Sequence, residues 1–316
     1  MEHRLVDVRG GRIHLVEEGE GPLVLLVHGF PECWYSWRHQ LPVLAAAGFR
    51  AVAIDVRGYG GSSRPDDVGS YGMLAHVADD VGVVRALGER TATVVGHDWG
   101  SPIAATSALL RPDVFPAVGL LSVPYTPPGG PRPTSVLAAA GGDEEFYVAY
   151  FRQPGRAEAE MEADVRGWLA GFYRALSGDI GGGAGHGVLT VPPGGTMRDR
   201  FPAGTPPRWL GEGDLEVYAR EFERTGFTGA LNRYRTMDRD WADRAAWEGA
   251  VIRQPSLSVA GELDASTTWL AAAIADHPRT LPGLVGQHVL EGRGHWIQQE
   301  APEEVGRLLV EWLAGV

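Results

Sequence analysis

Apolar and polar residues alternate through residues 4–8 and again through 12–18, with Gly10-Gly11 between the two runs. Alternation of period two predicts strands with one buried face, and the glycine pair predicts a hairpin joining them. Residues 23–27 are apolar throughout, the pattern of a strand buried on both faces. Shorter apolar runs at 50–54, 93–95, 117–123, 255–260 and 287–290 read the same way. Between them the period changes. Residues 35–47 and the Ala- and Leu-rich 101–110 read as helices, and Leu74, Val77, Val81, Val84 and Leu87 recur at helical spacing. A last helix starts near Pro302, with Glu303 and Glu304 suiting the positive end of its dipole. Strands alternating with helices predict an α/β fold, a mostly parallel central sheet flanked by helices.

The alternation stops at Pro124 and resumes after Trp247, so the chain divides into core (1–123), helical cap (124–247) and core again (248–316). Within the cap, Met161, Val165, Trp168, Leu169, Phe172 and Leu176 predict one amphipathic helix. Leu215, Tyr218 and Phe222 predict another, with Asp214 as its N-cap. Residues 177–195 hold eight glycines in nineteen positions. With no strand before them and no Gly-Lys-Ser/Thr after, they read as a mobile loop rather than a phosphate cradle.

Composition narrows the partners. A hydrophobic content of 44% supports a large core, and a formal charge of −12 argues against nucleic acid or an anionic membrane surface. All 28 basic residues are arginine, which reads as codon bias. The single Cys33 excludes an intrachain disulfide and a cysteine-based structural zinc site. Residues 1–20 are charged and lack an apolar signal segment, and no apolar run approaches the ~18 residues of a membrane span. A cytoplasmic location is the expectation.

The candidate chemistry sits at strand ends. Gly96-His97-Asp98-Trp99-Gly100 joins a predicted strand to a predicted helix, the glycine frame of a strained elbow that exposes one side chain above a parallel sheet. Aspartate occupies the place where such elbows usually carry serine. Asp264 and His295 each follow a later predicted strand, giving the chain order nucleophile, acid, histidine. Ligands of such sheets bind beyond the carboxyl ends of the strands, where all three fall. A carboxylate suits displacement at a saturated carbon bearing a leaving group, through an alkyl ester. Glu262 is an alternative acid, although the spacing after Gly261 favours Asp264.

The chain resembles the soluble epoxide hydrolases of the α/β-hydrolase superfamily. The resemblance is carried by HGFPE (28–32), DVRGYGGSSRP (55–65), GHDWGS (96–101) and GHW (294–296), with FYVAYFRQPG (146–155) and GALNRYR (229–235) in the cap. It covers nearly the whole chain except the Gly-rich stretch from Ser177 to about Arg208. It implies the α/β-hydrolase fold with an inserted helical cap, a small-molecule epoxide as substrate, and no cofactor or metal. It places proton donation to the opening epoxide on Tyr147 and Tyr234, phenols with an unperturbed pKa of about 10. It places the oxyanion-stabilising backbone N–H groups on Phe30 and Trp99, with a cis bond between Phe30 and Pro31. His295, oriented by Asp264, would then activate water against the ester. Glu32 and Arg57 read more simply as loop-stabilising ion-pair residues.

Four rivals share parts of this pattern. Haloalkane dehalogenases share GHDWG, but Phe30 stands where many of them carry Asn. Fluoroacetate dehalogenases usually carry Arg after the nucleophile and a cap His, where this chain has Trp99 and Val148. A non-catalytic binding protein on the same fold predicts a broken constellation, whereas Asp98, Asp264 and His295 are all present. Serine esterase is excluded by Asp98. One departure from the family stands beside a proton donor: Arg233 precedes Tyr234 where an aromatic residue is usual, which implies a more polar cap pocket.

Overall fold

The computed structural model describes all residues except 181–184 and 203–204. The described residues form ten strands: β1 (Glu2–Val8), β2 (Gly11–Glu18), β3 (Leu23–Val27), β4 (Arg50–Ile54), β5 (Thr93–His97), β6 (Ala117–Leu121), β7 (Glu145–Phe146), β8 (Thr190–Val191), β9 (Ser256–Gly261) and β10 (Leu284–Leu290). Eight of them form one sheet in the order β1-β2-β4-β3-β5-β6-β9-β10. The β1–β2 hairpin pairs antiparallel and β2 joins β4 antiparallel, after which every pairing is parallel. This is the mostly parallel sheet expected from the alternation, in the α/β-hydrolase arrangement that the resemblance implies.

Burial explains why the central strands lack polar residues. β3, β6 and β9 are buried at every position, because helices cover both faces. Along β3 the side chains alternate between two apolar clusters: Leu23, Leu25 and Val27 join one, Val24 and Leu26 the other. The second cluster is closed by Leu41, Leu44, Val305, Leu309 and Trp312. The first continues past the sheet into the inserted segment, through Trp168, Phe172, Tyr218 and Tyr234. At the sheet edge β10 alternates instead, with Val285 and Val289 exposed.

The chain leaves the sheet after β6 and returns at β9, which lies beside it. The inserted segment is mainly helical, as the sequence predicts, and four details of the chain depart from expectation. The single helix expected from Met161 to Leu176 is two, Arg156–Ala163 and Val165–Ala175. Asp164 breaks it: its backbone leaves the helical region and its carboxylate caps the second helix at the Gly167 N–H. Asp214 is not the N-cap of the later helix, which spans Glu212–Thr225 after Gly211. It is the third helical residue and its carboxylate reaches back to the Gly211 N–H. The helix expected over 35–47 is a tight turn, Trp34–Trp37, followed by Gln40–Ala46.

The Gly-rich stretch is the fourth. Its described part is built rather than a plain loop: Gly185–Val188 is helical and β8 pairs antiparallel with β7. Leu189 accepts a hydrogen bond from the Tyr147 N–H at 2.9 Å. The reading of 181–184 as mobile loop lies outside the described residues. No helix among the described residues is long and apolar enough to cross a membrane.

Candidate active site

β5 ends at His97 and the helix Gly100–Leu110 begins three residues on, so the chain reverses within the elbow. Asp98 occupies the left-handed region at φ 50°. The glycines around it have no alternative: a Cβ on Gly96 would meet the Gly100 carbonyl at 1.9 Å, and one on Gly100 the Val27 carbonyl at 2.0 Å. This crowding at the carboxyl ends of β3 and β5 lifts the Asp98 side chain above the sheet. There its Oδ1 accepts from the Phe30 N–H at 2.7 Å, and the Phe30–Pro31 bond is cis.

The other two strand ends converge on the same carboxylate. Asp264 follows β9, and its Oδ1 accepts from the Ser266 N–H at 2.9 Å and hydroxyl at 2.6 Å. Its Oδ2 lies 3.0 Å from His295 Nδ1, while His295 Nε2 is 3.4 Å from Asp98 Oδ2. The imidazole is thus held between two carboxylates. Glu262, the alternative acid, instead accepts from the Gly292 N–H. Burial opposes charge on all three groups, but their mutual attraction outweighs it. The His295 pKa lies well above its usual value because of Asp264 and then Asp98. Asp98 is held below the ordinary carboxylate range by His295, His97 and the Phe30 N–H, and Asp264 by His295 and Ser266.

Beneath this triad lies a layer that the sequence reading missed. The His295 carbonyl accepts from His97 Nε2 at 2.8 Å and from the Ser122 hydroxyl at 2.7 Å. Ser122 sits at φ 65°, which ends β6 short of the expected residue 123 and turns its hydroxyl toward His295. His97 Nδ1 faces Glu32 Oε2 at 2.9 Å, and Glu32 Oε1 accepts from the Gln298 and Gln299 amides. Glu32 is therefore a fully buried partner of the elbow histidine. Arg57 does form the simple ion pair expected, with Asp79. Only the adjacency of His97 to Asp98 hinted at this layer.

The inserted helices supply the roof. Tyr147 opens the helix Tyr147–Arg152 and Tyr234 lies near the end of Thr228–Arg235, their rings 6.2 Å apart. Tyr234 packs edge-on against Phe30 at 5.5 Å and Trp99 at 5.2 Å. Burial raises the pKa of both hydroxyls. The Asp98 charge adds to each, and for Tyr234 the neighbouring Tyr147 adds more. Both phenols therefore stay protonated at neutral pH above an ionised carboxylate. Val148 is buried in the apolar cluster. The polarity expected from Arg233 is neutralised locally: it pairs with buried Asp240 at 2.5 Å and lies over the Trp99 ring at 4.5 Å. A cavity of about 180 Å³ borders Trp99, Arg233, Tyr125 and Arg244. Among the described residues, no group of three His, Cys, Asp or Glu side chains is arranged to hold a metal ion.

Comparison with known proteins agrees with this geometry. A family model described as alpha/beta hydrolase fold matches residues 22–185. Epoxide hydrolase B of Mycobacterium tuberculosis is 41% identical, the match covering 99% of this chain and 98% of that protein. Among solved structures, an epoxide hydrolase from an endophytic Streptomyces superimposes with a TM-score of 0.97 at 69% identity, covering 99% of this chain and 95% of the other. Epoxide hydrolase A from Mycobacterium thermoresistibile gives 0.93 at 40% identity, over 99% and 98%. With full-length identity added to the fold and the aspartate elbow, the chain belongs to the epoxide hydrolase family of the α/β-hydrolase superfamily.

Proposed function

We propose that this enzyme converts a small-molecule epoxide and water to a vicinal diol through a covalent ester on Asp98. One observation carries the reading: two protonated phenols and a histidine–carboxylate pair converge on the same ionised elbow carboxylate. An Asp98 oxygen attacks an epoxide carbon, the C–O bond breaks, and Tyr147 or Tyr234 protonates the developing alkoxide. The division of the chain into core 1–123, cap 124–247 and core 248–316 assigns both donors to the cap.

Ester formation also prepares the second step. It removes the Asp98 charge, one of the two that raise the His295 pKa, so the imidazole gives up its proton more readily and becomes the base. His295 Nε2 then takes a proton from water attacking the Asp98 carbonyl carbon, with Asp264 stabilising the imidazolium. The oxyanion forms where Oδ1 meets the Phe30 N–H, with the Trp99 N–H as second donor, one such donor being worth about 3–4 kcal/mol. Collapse breaks the ester bond, the His295 imidazolium protonates the leaving alkoxide to release the diol, and the proton left on the Asp98 carboxyl returns to the tyrosinate.

Intact-protein mass spectrometry of His295→Gln tests this. Challenged with terminal epoxides, the variant should hold an adduct of one whole epoxide, absent when Asp98→Asn is added. An adduct formed only with primary haloalkanes, lighter by the departed hydrogen halide, would reassign the reaction to dehalogenation.

A further inference from the structure

Glu300 takes no part in the chemistry above, yet its half-buried carboxylate holds the loop that carries the base. It ends the short helix Ile297–Glu300 and turns back on its own chain. Oε1 accepts from the Trp296 N–H at 3.1 Å and Oε2 from the Gly294 N–H at 2.9 Å, the N–H groups of the residues on either side of His295. Oε2 also accepts from the Gly178 N–H at 3.0 Å, in the segment that follows the cap helix Val165–Ala175.

That cap segment presses directly on the His295 loop. The His295 N–H donates to the Leu176 carbonyl at 2.8 Å, and the Trp296 indole donates to the Tyr173 carbonyl at 2.9 Å. Backbone meets backbone with no room for a side chain. A Cβ on Gly178 would meet the Gly292 carbonyl at 2.4 Å, and one on Gly294 the Leu176 carbonyl at 2.4 Å. From the same helix end, the Tyr173 hydroxyl donates to the Pro31 carbonyl at 2.6 Å, beside the Phe30 peptide. The end of one cap helix thus touches both the loop of the base and the turn that carries the Phe30 N–H.

We propose that Glu300 is a positioning residue that fixes His295 against Asp98 and makes the placement of the base depend on the seating of the cap. The inference rests on the Asp98 ester reading above. Its consequence is selective. Alkylation uses Asp98 and the cap phenols, with which Glu300 makes no hydrogen bond among the described residues, whereas ester hydrolysis needs His295 aligned on a water. Misplacement by about 1 Å is enough to cost about 100-fold in such a step.

The test is single-turnover stopped-flow and intact-mass measurement on the full-length chain with styrene oxide, comparing wild type, Glu300→Gln, Gly178→Ala and His295→Gln. The amide of Glu300→Gln keeps one acceptor oxygen and turns a donor toward backbone donors. It should slow ester hydrolysis by about 10- to 100-fold while alkylation stays near wild type. In the steady state kcat and KM then fall together and kcat/KM is kept, a split that a general loss of structure does not produce. Gly178→Ala, which leaves the carboxylate intact and lifts the cap segment off Gly292, should give the same split. Should Glu300→Gln fail to fold, as judged by circular dichroism, Gly178→Ala decides by the same criterion. Ester clearance at the wild-type rate, or proportional slowing of both half-reactions, overturns the proposal. His295→Gln separates the two readings. If it holds no adduct, the ester mechanism fails and this inference fails with it. If it holds one while the other variants clear theirs normally, only the positioning role is lost.

Discussion

Tyr147→Phe and Tyr234→Phe, made singly and together, test how the two phenols share proton donation. Each change removes one oxygen and keeps the ring, so the edge-on packing of Tyr234 on Phe30 and Trp99 is retained. A positioned general acid contributes about 10²–10⁴ in rate, or about 2.7–5.4 kcal/mol at about 1.36 kcal/mol per decade. The two rings lie 6.2 Å apart and both hydroxyls feel the Asp98 charge. An alkoxide forming over that carboxylate therefore has two donors. Removing one leaves an intact acid, so each single variant loses a minor part of the effect and the double variant loses all of it. The double loss should exceed the product of the single losses, the signature of two groups sharing one role. Single-turnover fluorescence reads this directly, because Trp99 follows Asp98, the proposed nucleophile, and its ring is 5.2 Å from that of Tyr234. A double variant that alkylates at the wild-type rate would refute proton donation by these residues. Strictly multiplicative single losses would refute the sharing.

Three other outcomes follow from the charges. On the proposed mechanism ester hydrolysis requires neutral His295, so its rate should rise with pH through the His295 pKa. Asp264→Asn removes the main charge raising that pKa, and should move the acid limb to lower pH while cutting the plateau by roughly 10³-fold or more; a stationary limb in single-turnover profiles contradicts the assignment. Arg233→Leu strands the Asp240 carboxylate in the interior and should cost about 3–5 kcal/mol in denaturant unfolding, much of it recovered by adding Asp240→Asn. Burial pushes the Asp80 carboxyl up to about 8 from its ordinary 3.8, against the pull of the Ser107 hydrogen bond. Between those values the unfolded chain has lost a proton that the fold retains. Stability from this group is therefore present below about pH 4 and declines by about 1.4 kcal/mol per unit as pH rises toward 8. Asp80→Asn, which keeps an acceptor for Ser107, should raise Tm more at pH 9 than at pH 5; an equal shift at both would show that Asp80 does not titrate in this range.

The core was readable because its signals are local. Period-two alternation gave the hairpin, unbroken apolar runs gave the central strands, and Gly96 and Gly100 marked a turn where no side chain fits. Asp98, Asp264 and His295 stood out because each follows such a run. Tyr147 and Tyr234 did not: on the sequence they are two more aromatic residues on amphipathic helices, and only the flanking motifs singled them out. What escaped depends on partners distant in the chain. His97 meets the His295 carbonyl 198 residues away and Gly178 meets Glu300 122 residues away, separations that leave no periodicity to read. The break at Asp164 was hidden by competition. The apolar spacing runs straight through it, while the aspartate trades helix continuation for its own hydrogen bond to Gly167.

The apolar cluster that runs from Val27 and Ile54 into Trp168, Phe172 and Tyr218 has a consequence for modularity. Although the cap is one uninterrupted insertion in the sequence, it is not a cassette. Recombining it with the core of a relative cuts through shared packing, so a chimaera must carry matching residues on both sides of the seam or expose the severed surface. Length variation is better tolerated where nothing crowds the chain, and Gly130, Gly142 and Gly194 each have open space around them. New sequence inserted at those points would extend the roof without disturbing the common interior beneath it.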